Sequence, residues 1–270
     1  MNKTRKKPFR MLLTNDDGFG TVGITSLYGA LKDTFSVTIA APASEQSGVS
    51  HAFTFSSPLY YSKIQSNNGG LSGYAIRGTP SDCVKFAVSH LLGGKPDIVV
   101  SGMNIGENSG TSGFYSGTVA AAREGAFWQI PSFAFSTGEK GKEHVDDYSK
   151  KAVEILEFIL EHYSEILAKE KNRIFFNVNF PECPLSECRG VKITRQSMAF
   201  FDDRYRRVCD KEGKDAFYIY GEKRNVELSD DYDSRAVMNN YIAITPLDFD
   251  ATSQGGLNTL AVLEKNFNIL

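Results

Sequence analysis

The feature that most constrains the fold is an abrupt change of character near the start of the chain. The mostly apolar run Phe9-Arg10-Met11-Leu12-Leu13 gives way at once to Thr14-Asn15-Asp16-Asp17-Gly18-Phe19-Gly20. A run that short and apolar reads as a buried strand. Val22, Ile24, Leu27, Tyr28 and Leu31 then recur at helical spacing, and a second apolar run, Phe35 to Ala41, is stopped by Pro42. Strand, helix and strand in that order make a βαβ opening, whose crossover helix joins parallel strands. Adjacent carboxylates repel each other unless positive charge is brought to them, so this strand end reads as half of a divalent-metal site.

The alternation continues. Phe53–Ile64 and Tyr74–Ile76, separated by the turn signal Asn67-Asn68-Gly69-Gly70, form a hairpin-like excursion. Thr79 suits a helix N-cap, Pro80 the first turn and Asp82 the positive helix end; the helix runs to about Leu92 and stops at Gly93-Gly94. Pro96–Ser101 is a short strand, and Ser101–Thr118 a long loop rich in Gly, Ser, Thr and Asn. A small-residue helix over Val119–Phe127 and a strand over Ile130–Phe135 come next. A polar loop (137–146), one long amphipathic helix over Tyr148–Lys169 and a strand at Ile174–Val178 complete the pattern. This is an α/β chain with a doubly wound, mostly parallel sheet and helices on both faces.

After Pro181 the texture becomes charged and tyrosine-rich, with strand-like runs at Val191–Thr194, Ala216–Tyr220 and Tyr241–Thr245 and a short terminal helix at Leu257–Leu263. Residues 1–181 are therefore read as the core. Residues 182–270 are an extension made of a hairpin, a return strand and a terminal helix.

Composition excludes several classes. With 270 residues, 41% hydrophobic, 23% charged and a net charge of -2, the chain is an ordinary globular protein with no basic footprint for nucleic acid. The basic opening Lys3, Arg5, Lys6, Lys7, Arg10 lacks the apolar segment of a signal peptide and reads as a frayed end. No run approaches the ~18 apolar residues of a membrane span. Cys83, Cys183, Cys188 and Cys209 form no metal or disulfide pattern and read as reduced thiols of a cytoplasmic protein; only an oxidising compartment would favour a Cys183–Cys188 bridge.

Gly18-Phe-Gly-Thr-Val-Gly23 matches the dinucleotide fingerprint GxGxxG and sits between a strand and a helix. A pyrophosphate would, however, meet two carboxylates there. The second strand ends Ile39-Ala40-Ala41-Pro42 with no acid for a ribose, Glu45 lying beyond it. An NAD-binding oxidoreductase is therefore the weaker alternative.

Open α/β sheets bind ligands at the carboxyl ends of their strands. One end carries Asn15, Asp16 and Asp17, a second Ser44, Glu45, Gln46, Ser47 and Gly48, and a third Ser101, Asn104 and Asn108. Carboxylate, hydroxyl and amide oxygens form a hard donor set, suited to Mg²⁺, Mn²⁺ or Ca²⁺ rather than zinc. Gly110–Thr118 can offer hydroxyls, backbone N–H groups and a helix N-terminus to an anion. Taken singly, Asp16-Asp17-Gly18 is a turn, Ser47-Gly48 a loop and the glycine-rich segment a lid. Three such segments at successive strand ends favour a site. Around it, His51 reads either as an acid for a leaving alcohol or as a surface group. Asp82 either touches the site or is explained by its charge at the helix N-terminus, and His90, His144 and His162 are structural or exposed. Phe114 and Tyr115 either stack on a base or pack under the loop. Arg204, Arg206 and Arg207 are either a solvated face or an arm reaching an anion or a neighbouring subunit.

Asn15-Asp16-Asp17-Gly18, Ala41-Pro42 with Ser47-Gly48, Gly78–Val84, Ser101–Asn108, Tyr115–Gly125 and Ile244–Leu247 occur in an order that closely resembles the SurE family of "survival protein" nucleotidases. The resemblance implies a Rossmann-like core with a projecting hairpin and a swapped terminal segment, assembled as homodimers or homotetramers. It implies a metal-dependent phosphomonoesterase acting on nucleoside 5′- and 3′-monophosphates, some members also trimming polyphosphate. One Mg²⁺ or Mn²⁺ per subunit would sit on Asp16, Asp17, Ser47 and Asn104, polarising a phosphate oxygen and lowering the pKa of a water. Asp16, Asp17 and Asn104 are then catalytic, and Asn15, Asn108, Ser109, Ser116, Gly117 and Thr118 hold the phosphate. Water is the favoured nucleophile, with covalent attack by an aspartate left open. Asp233 matches the family's aspartate before Ile244-Thr245-Pro246-Leu247, although Asp230–Ser234 departs from the usual Gly-Thr-Asp form. A nucleotide- or metal-sensing module without turnover is the reading from another class.

Overall fold

The computed structural model describes residues 8–66, 70–170, 174–209 and 213–263. The basic residues Lys3 to Lys7 and the Asn67-Asn68-Gly69 turn lie outside them. The chain opens with strand β1 (Arg10–Thr14), helix α1 (Val22–Leu31) and strand β2 (Ser36–Pro42). β3 (Tyr60–Ile64) and β4 (Gly73–Arg77) form the hairpin-like excursion, followed by α2 (Pro80–Phe86). Next come β5 (Ile98–Ile105), the short turn α3 (Ser112–Tyr115), α4 (Gly117–Phe127), β6 (Ser132–Thr137), α5 (Val145–Glu161), α6 (Tyr163–Glu170) and β7 (Ile174–Phe180). Among the described residues these strands belong to one nine-stranded sheet, ordered β3-β4-β2-β1-β5-β6-β7-β13-β8, where β8 is Val191–Ile193 and β13 Ile242–Asp248. Pairing is parallel from β4 through β7 and antiparallel at β3/β4 and β7/β13.

Alternation along β1 sets the layers. Met11 and Leu13 face one side, where they pack with Ile24 and Leu27 of α1 and Tyr148 and Leu156 of α5. Leu12 faces the other, with Cys83 and Val84 of α2 and Ala121 of α4. All residues of β6 and β7 are buried, as expected of interior strands covered on both faces. A fully buried Leu or Phe in these layers contributes roughly 1.5–3 kcal/mol.

Several expectations change: the helix expected to run to about Leu92 is α-helical only to Phe86, its last turn (Ala87–Leu91) being π-helical. Where the spacing predicts one helix over Tyr148–Lys169, the chain breaks at His162, whose backbone leaves the helical region (φ -103°, ψ 3°). Tyr163 and Ile166 continue to pack on the same core, so the apolar stripe runs across the break and conceals it. The strand predicted at Pro96–Ser101 extends to Ile105, because β5 resumes pairing with β6 (Asn104↔Ser136, Ile105↔Thr137) after a bulge at Ser101/Asn104. The long loop predicted over Ser101–Thr118 is correspondingly shorter and contains α3.

Past Pro181 the chain forms β8, then an arm: β9 (Phe200–Phe201), β10 (Arg204–Cys209), β11 (Asp215–Tyr220) and β12 (Lys223–Arg224). β10 pairs with β11, and β9 with β12. The chain then passes through α7 (Asp233–Met238) into β13 and ends its described course in α8 (Gln254–Leu263).

Candidate active site

The order β2-β1-β5 places the three polar strand ends side by side. They line a cavity of about 380 Å³ that includes Asp16, Asp17, Ser47, Asn104, Asn108 and Ser116. Asp16 is buried, and Thr118 Oγ1 donates to its Oδ1. α4 begins against it: a Cβ on Gly117 would lie 2.8 Å from the Asp16 Cβ, so only glycine lets the helix start there. Asn104 spends its Nδ2 on Gly106 O (2.6 Å), which leaves its carbonyl oxygen as the end available to a cation. Ser47 Oγ donates to Glu45 Oε1 (2.6 Å).

The charges are unbalanced. Burial raises the pKa of Asp16 above the ordinary carboxylate range, opposed by Thr118 and the amides at the start of α4. Burial, then the charges of Asp16 and Glu45, push Asp17 up to about 6. Among the described residues, neither aspartate is ion-paired with a Lys or Arg. No group of three or more His, Cys, Asp or Glu suited to a metal occurs among them either. The candidate donors are two carboxylates with a hydroxyl and an amide oxygen, all hard oxygen ligands. That set fits a hard divalent cation.

The loop carrying Ser47 is tied down along its length. Gln46 N donates to Asp16 O (2.8 Å) and Ser50 N to Tyr115 O (2.9 Å). Thr54 N and Oγ1 donate to Asp82 (2.8 and 2.7 Å). Thr79 and Asp82 form a capping box on α2, and Thr79 Oγ1 also donates to Ala52 O (2.7 Å). His51 does not line the cavity. Its Nε2 meets Glu124 Oε2 (2.9 Å), while Lys85 Nζ and Trp128 Nε1 donate to Glu124 Oε1 (3.0 Å each). Burial pushes the Glu124 carboxyl up, but these three partners more than offset it and hold it below the ordinary range. His51 is thus an anchor of the Ser47 loop on α4.

Of the residues expected to hold phosphate, Asn108 and Ser116 line the cavity. Ser116 Oγ caps α4, accepting from Val119 N (3.1 Å). Asn108 is held from behind: its N donates to Asn179 Oδ1 (2.8 Å), its Nδ2 to Ser136 Oγ (2.9 Å), and its O accepts from Asn177 Nδ2 (2.9 Å). The other side chains sit behind the wall. Asn15 closes the turn, donating to Gly18 O and Thr21 Oγ1 (3.0 Å each). Thr118 is fully buried on Asp16. Ser109, also buried, donates to Glu107 and accepts from Lys223 Nζ (2.6 Å). The third glycine of GxGxxG serves packing: a Cβ on Gly23 would lie 1.8 Å from Met103 O.

Sequence reasoning missed Asn177 and Asn179, signalled only by two amides in the otherwise apolar interior strand β7. It also missed Lys223 and Phe201, for which no local signal exists. Tyr115 lines the cavity, whereas Phe114 does not. The basic residues of the arm have partners within it: Arg204 with Asp202, Arg207 with Asp215, and Arg206 over the Tyr220 ring at 5.0 Å. Asp233 is buried, accepting from Gly110 N (3.1 Å) and Ser197 N (2.9 Å), so it ties α7 to the glycine-rich segment. Cys183 and Cys188 are free thiols with Sγ atoms 3.8 Å apart.

Comparisons with known proteins identify the family and the fold. The family model described as "Survival protein SurE" matches residues 11–203. A 5′-nucleotidase SurE of Flavobacterium psychrophilum is 36% identical over 93% of this chain and 95% of its own length. One from Syntrophobacter fumaroxidans is 40% identical over 93% of this chain and 98% of its own. The crystal structure of the SurE protein from Aquifex aeolicus superposes with a TM-score of 0.78 at 35% identity, covering 94% of this chain and 99% of that one. With the fold, the order of its motifs and these full-length relatives in agreement, the chain belongs to the SurE family.

Proposed function

We propose that the protein is a divalent-metal-dependent phosphomonoesterase that hydrolyses nucleoside 5′- and 3′-monophosphates to nucleoside and phosphate. The observation that carries this reading is that Asp16, Asp17, Ser47 and Asn104 line one cavity, together with Asn108 and Ser116. The first four would hold Mg²⁺ or Mn²⁺, one ion per subunit. When bound, the ion supplies Lewis acidity toward a phosphate oxygen and a water of lowered pKa. The chain's own residues do the rest. Thr118 and the start of α4 fix the Asp16 carboxylate. Asn108, immobilised by Ser136, Asn177 and Asn179, orients the phosphoryl group with Ser116 and stabilises charge developing on its oxygens. Water is the nucleophile in this account. Relatives named 5′-nucleotidase support the substrate class, and activity on 3′-monophosphates and on short polyphosphates belongs to the same proposal.

We further propose a homodimer or homotetramer in which the extension mediates contact. Tyr205, Phe217, Tyr218 and Ile219 of the β10–β11 hairpin are exposed, as are Leu257 and Leu260 of α8, more apolar surface than a free arm would carry. No helix among the described residues is long and apolar enough to cross a membrane.

The test is a phosphate-release assay over a panel of 5′- and 3′-nucleoside monophosphates and tripolyphosphate, with EDTA, Mg²⁺ or Mn²⁺. The reading expects EDTA to abolish release from AMP and either ion to restore it. Saturable AMP binding with no product would instead establish a sensor module.

A further inference from the structure

The cavity wall farthest along the sequence from the aspartates comes from the root of the arm. Phe201, in β9, lines the same cavity as Asp16 and Asn108, and so does Tyr115 from α3. Both rings are substantially exposed, at 47% and 67%. Elsewhere the lining is dominated by carboxylate, amide and hydroxyl groups. Two accessible aromatic rings in the lining of a cavity otherwise made largely of carboxylate, amide and hydroxyl groups offer a place for the flat, apolar part of a substrate.

Phe201 is not simply hanging from a loop. Its register partner across β9/β12 is Lys223. Lys223 Nζ donates to Glu107 Oε1 (2.7 Å) and Ser109 Oγ (2.6 Å), with only 16% of its side chain exposed. Glu107 and Ser109 lie between Asn104 and the start of α3, so this ion pair fastens the strand bearing Phe201 to the segment that carries the site. At low exposure such a pair gives a defined geometry rather than a fluctuating surface contact.

We propose that Phe201 is a specificity-determining residue whose ring stacks on the substrate's nucleobase, with Tyr115 as the second aromatic contact and Lys223 as the residue that positions Phe201. This rests on the phosphomonoesterase reading above and deepens it by naming the group that recognises the base. Stacking reads the area of a π-face and tolerates any base, so purine nucleotides bind more tightly than pyrimidine nucleotides, without strict selection.

The test compares AMP with ribose 5-phosphate, which has the same phosphoester and no base. Phe201→Ala should raise KM for AMP by about tenfold, the scale of a lost base–aromatic stack. It should leave kcat for AMP and both constants for ribose 5-phosphate unchanged, and Phe201→Trp should restore tight AMP binding. Lys223→Met should weaken AMP binding in the same direction, with Lys223→Arg restoring part of it. An unchanged KM for AMP in Phe201→Ala, or an equal rise for ribose 5-phosphate, overturns the inference. If the wild type releases phosphate from neither substrate with Mg²⁺ or Mn²⁺, the enzymatic reading fails by itself. The same ratio of AMP to ribose 5-phosphate affinity in wild type and Phe201→Ala is then read by calorimetry, and an unchanged ratio overturns stacking independently of turnover.

Discussion

Asp17 concentrates the electrostatic problem of the site. Its carboxyl is pushed up to about 6 by burial and by Asp16 and Glu45. A carboxyl whose folded pKa lies above its unfolded value binds more protons in the folded state, so it withdraws stability as pH rises through that window. For Asp17 the window runs from the ordinary carboxyl value of 3.8 to about 6, and Asp16 acts in the same direction. The metal-free protein should therefore lose thermal stability between about pH 4 and pH 6 through Asp17, by a few degrees. Mn²⁺ should raise the melting temperature more at pH 7 than at pH 5, because it binds the ionised form. Asp17→Asn should stabilise the metal-free protein at pH 7 and abolish the Mn²⁺-dependent rise. Differential scanning fluorimetry across pH checks all three, and a Mn²⁺ shift surviving in Asp17→Asn would remove Asp17 from the ligand set. At this scale the sequence was informative where chemistry is local. Asp16, Asp17, Ser47 and Asn104 stand at strand ends whose position follows from short apolar runs. It was less informative about direction. The side chains of Asn15 and Thr118 hold the turn and Asp16, and nothing in residue type distinguishes that duty from contact with a phosphate.

The element that decides whether Ser47 reaches the cavity is the loop after β2. Its anchors are spread over Tyr115, Thr79, Asp82 and Glu124, on α3, α2's cap, α2 and α4. Glu124 is the hub, with three donors on one buried carboxylate. Its depressed pKa contributes stability above the unfolded value of 4.5, lost as pH falls through the lower folded one. Glu124→Gln should loosen the His51 end of the loop and raise the Mn²⁺ concentration for half-maximal activity about tenfold, as loss of a group supporting a ligand does. At saturating Mn²⁺, kcat should stay near the wild-type value. A metal titration of activity measures this; an unchanged half-saturation point would mean that the hub serves stability alone. Thr79→Ala removes both the α2 cap and the tie to Ala52 and should cost about 1 kcal/mol in urea unfolding. The cap was legible because Thr79-Pro80-Ser81-Asp82 announces it locally. The break at His162 was not, because the apolar period passes through it unaltered. The loop's anchors were not either, since each joins residues tens of positions apart.

Across the whole molecule, the extension does two things. β13 and β8 complete the sheet, and the arm between them folds back so that Phe201 and Lys223 meet the site. The α/β layering was readable because its periodicities are local and a crossover has one favoured hand. The arm's return was unreadable, since it depends on contacts such as Lys223 with Glu107 and Asp233 with Gly110, each more than a hundred residues apart. In the proposed assembly the exposed apolar hairpin packs on a second chain. Ile219→Asp should shift sedimentation to a smaller species, and an unaltered sedimentation coefficient would show that β11 takes no part in assembly.

The claim on which everything else depends is that Asp16 and Asp17 hold a cation that makes this cavity hydrolytic. It is tested most directly by phosphate release from AMP as Mn²⁺ is titrated into metal-free enzyme, wild type beside Asp16→Asn, with circular dichroism confirming that both are folded. The account predicts saturable activation of the wild type at one ion per chain and a loss of at least about a hundredfold in the variant. Release that is indifferent to Mn²⁺, or a folded Asp16→Asn with wild-type activity, would contradict it.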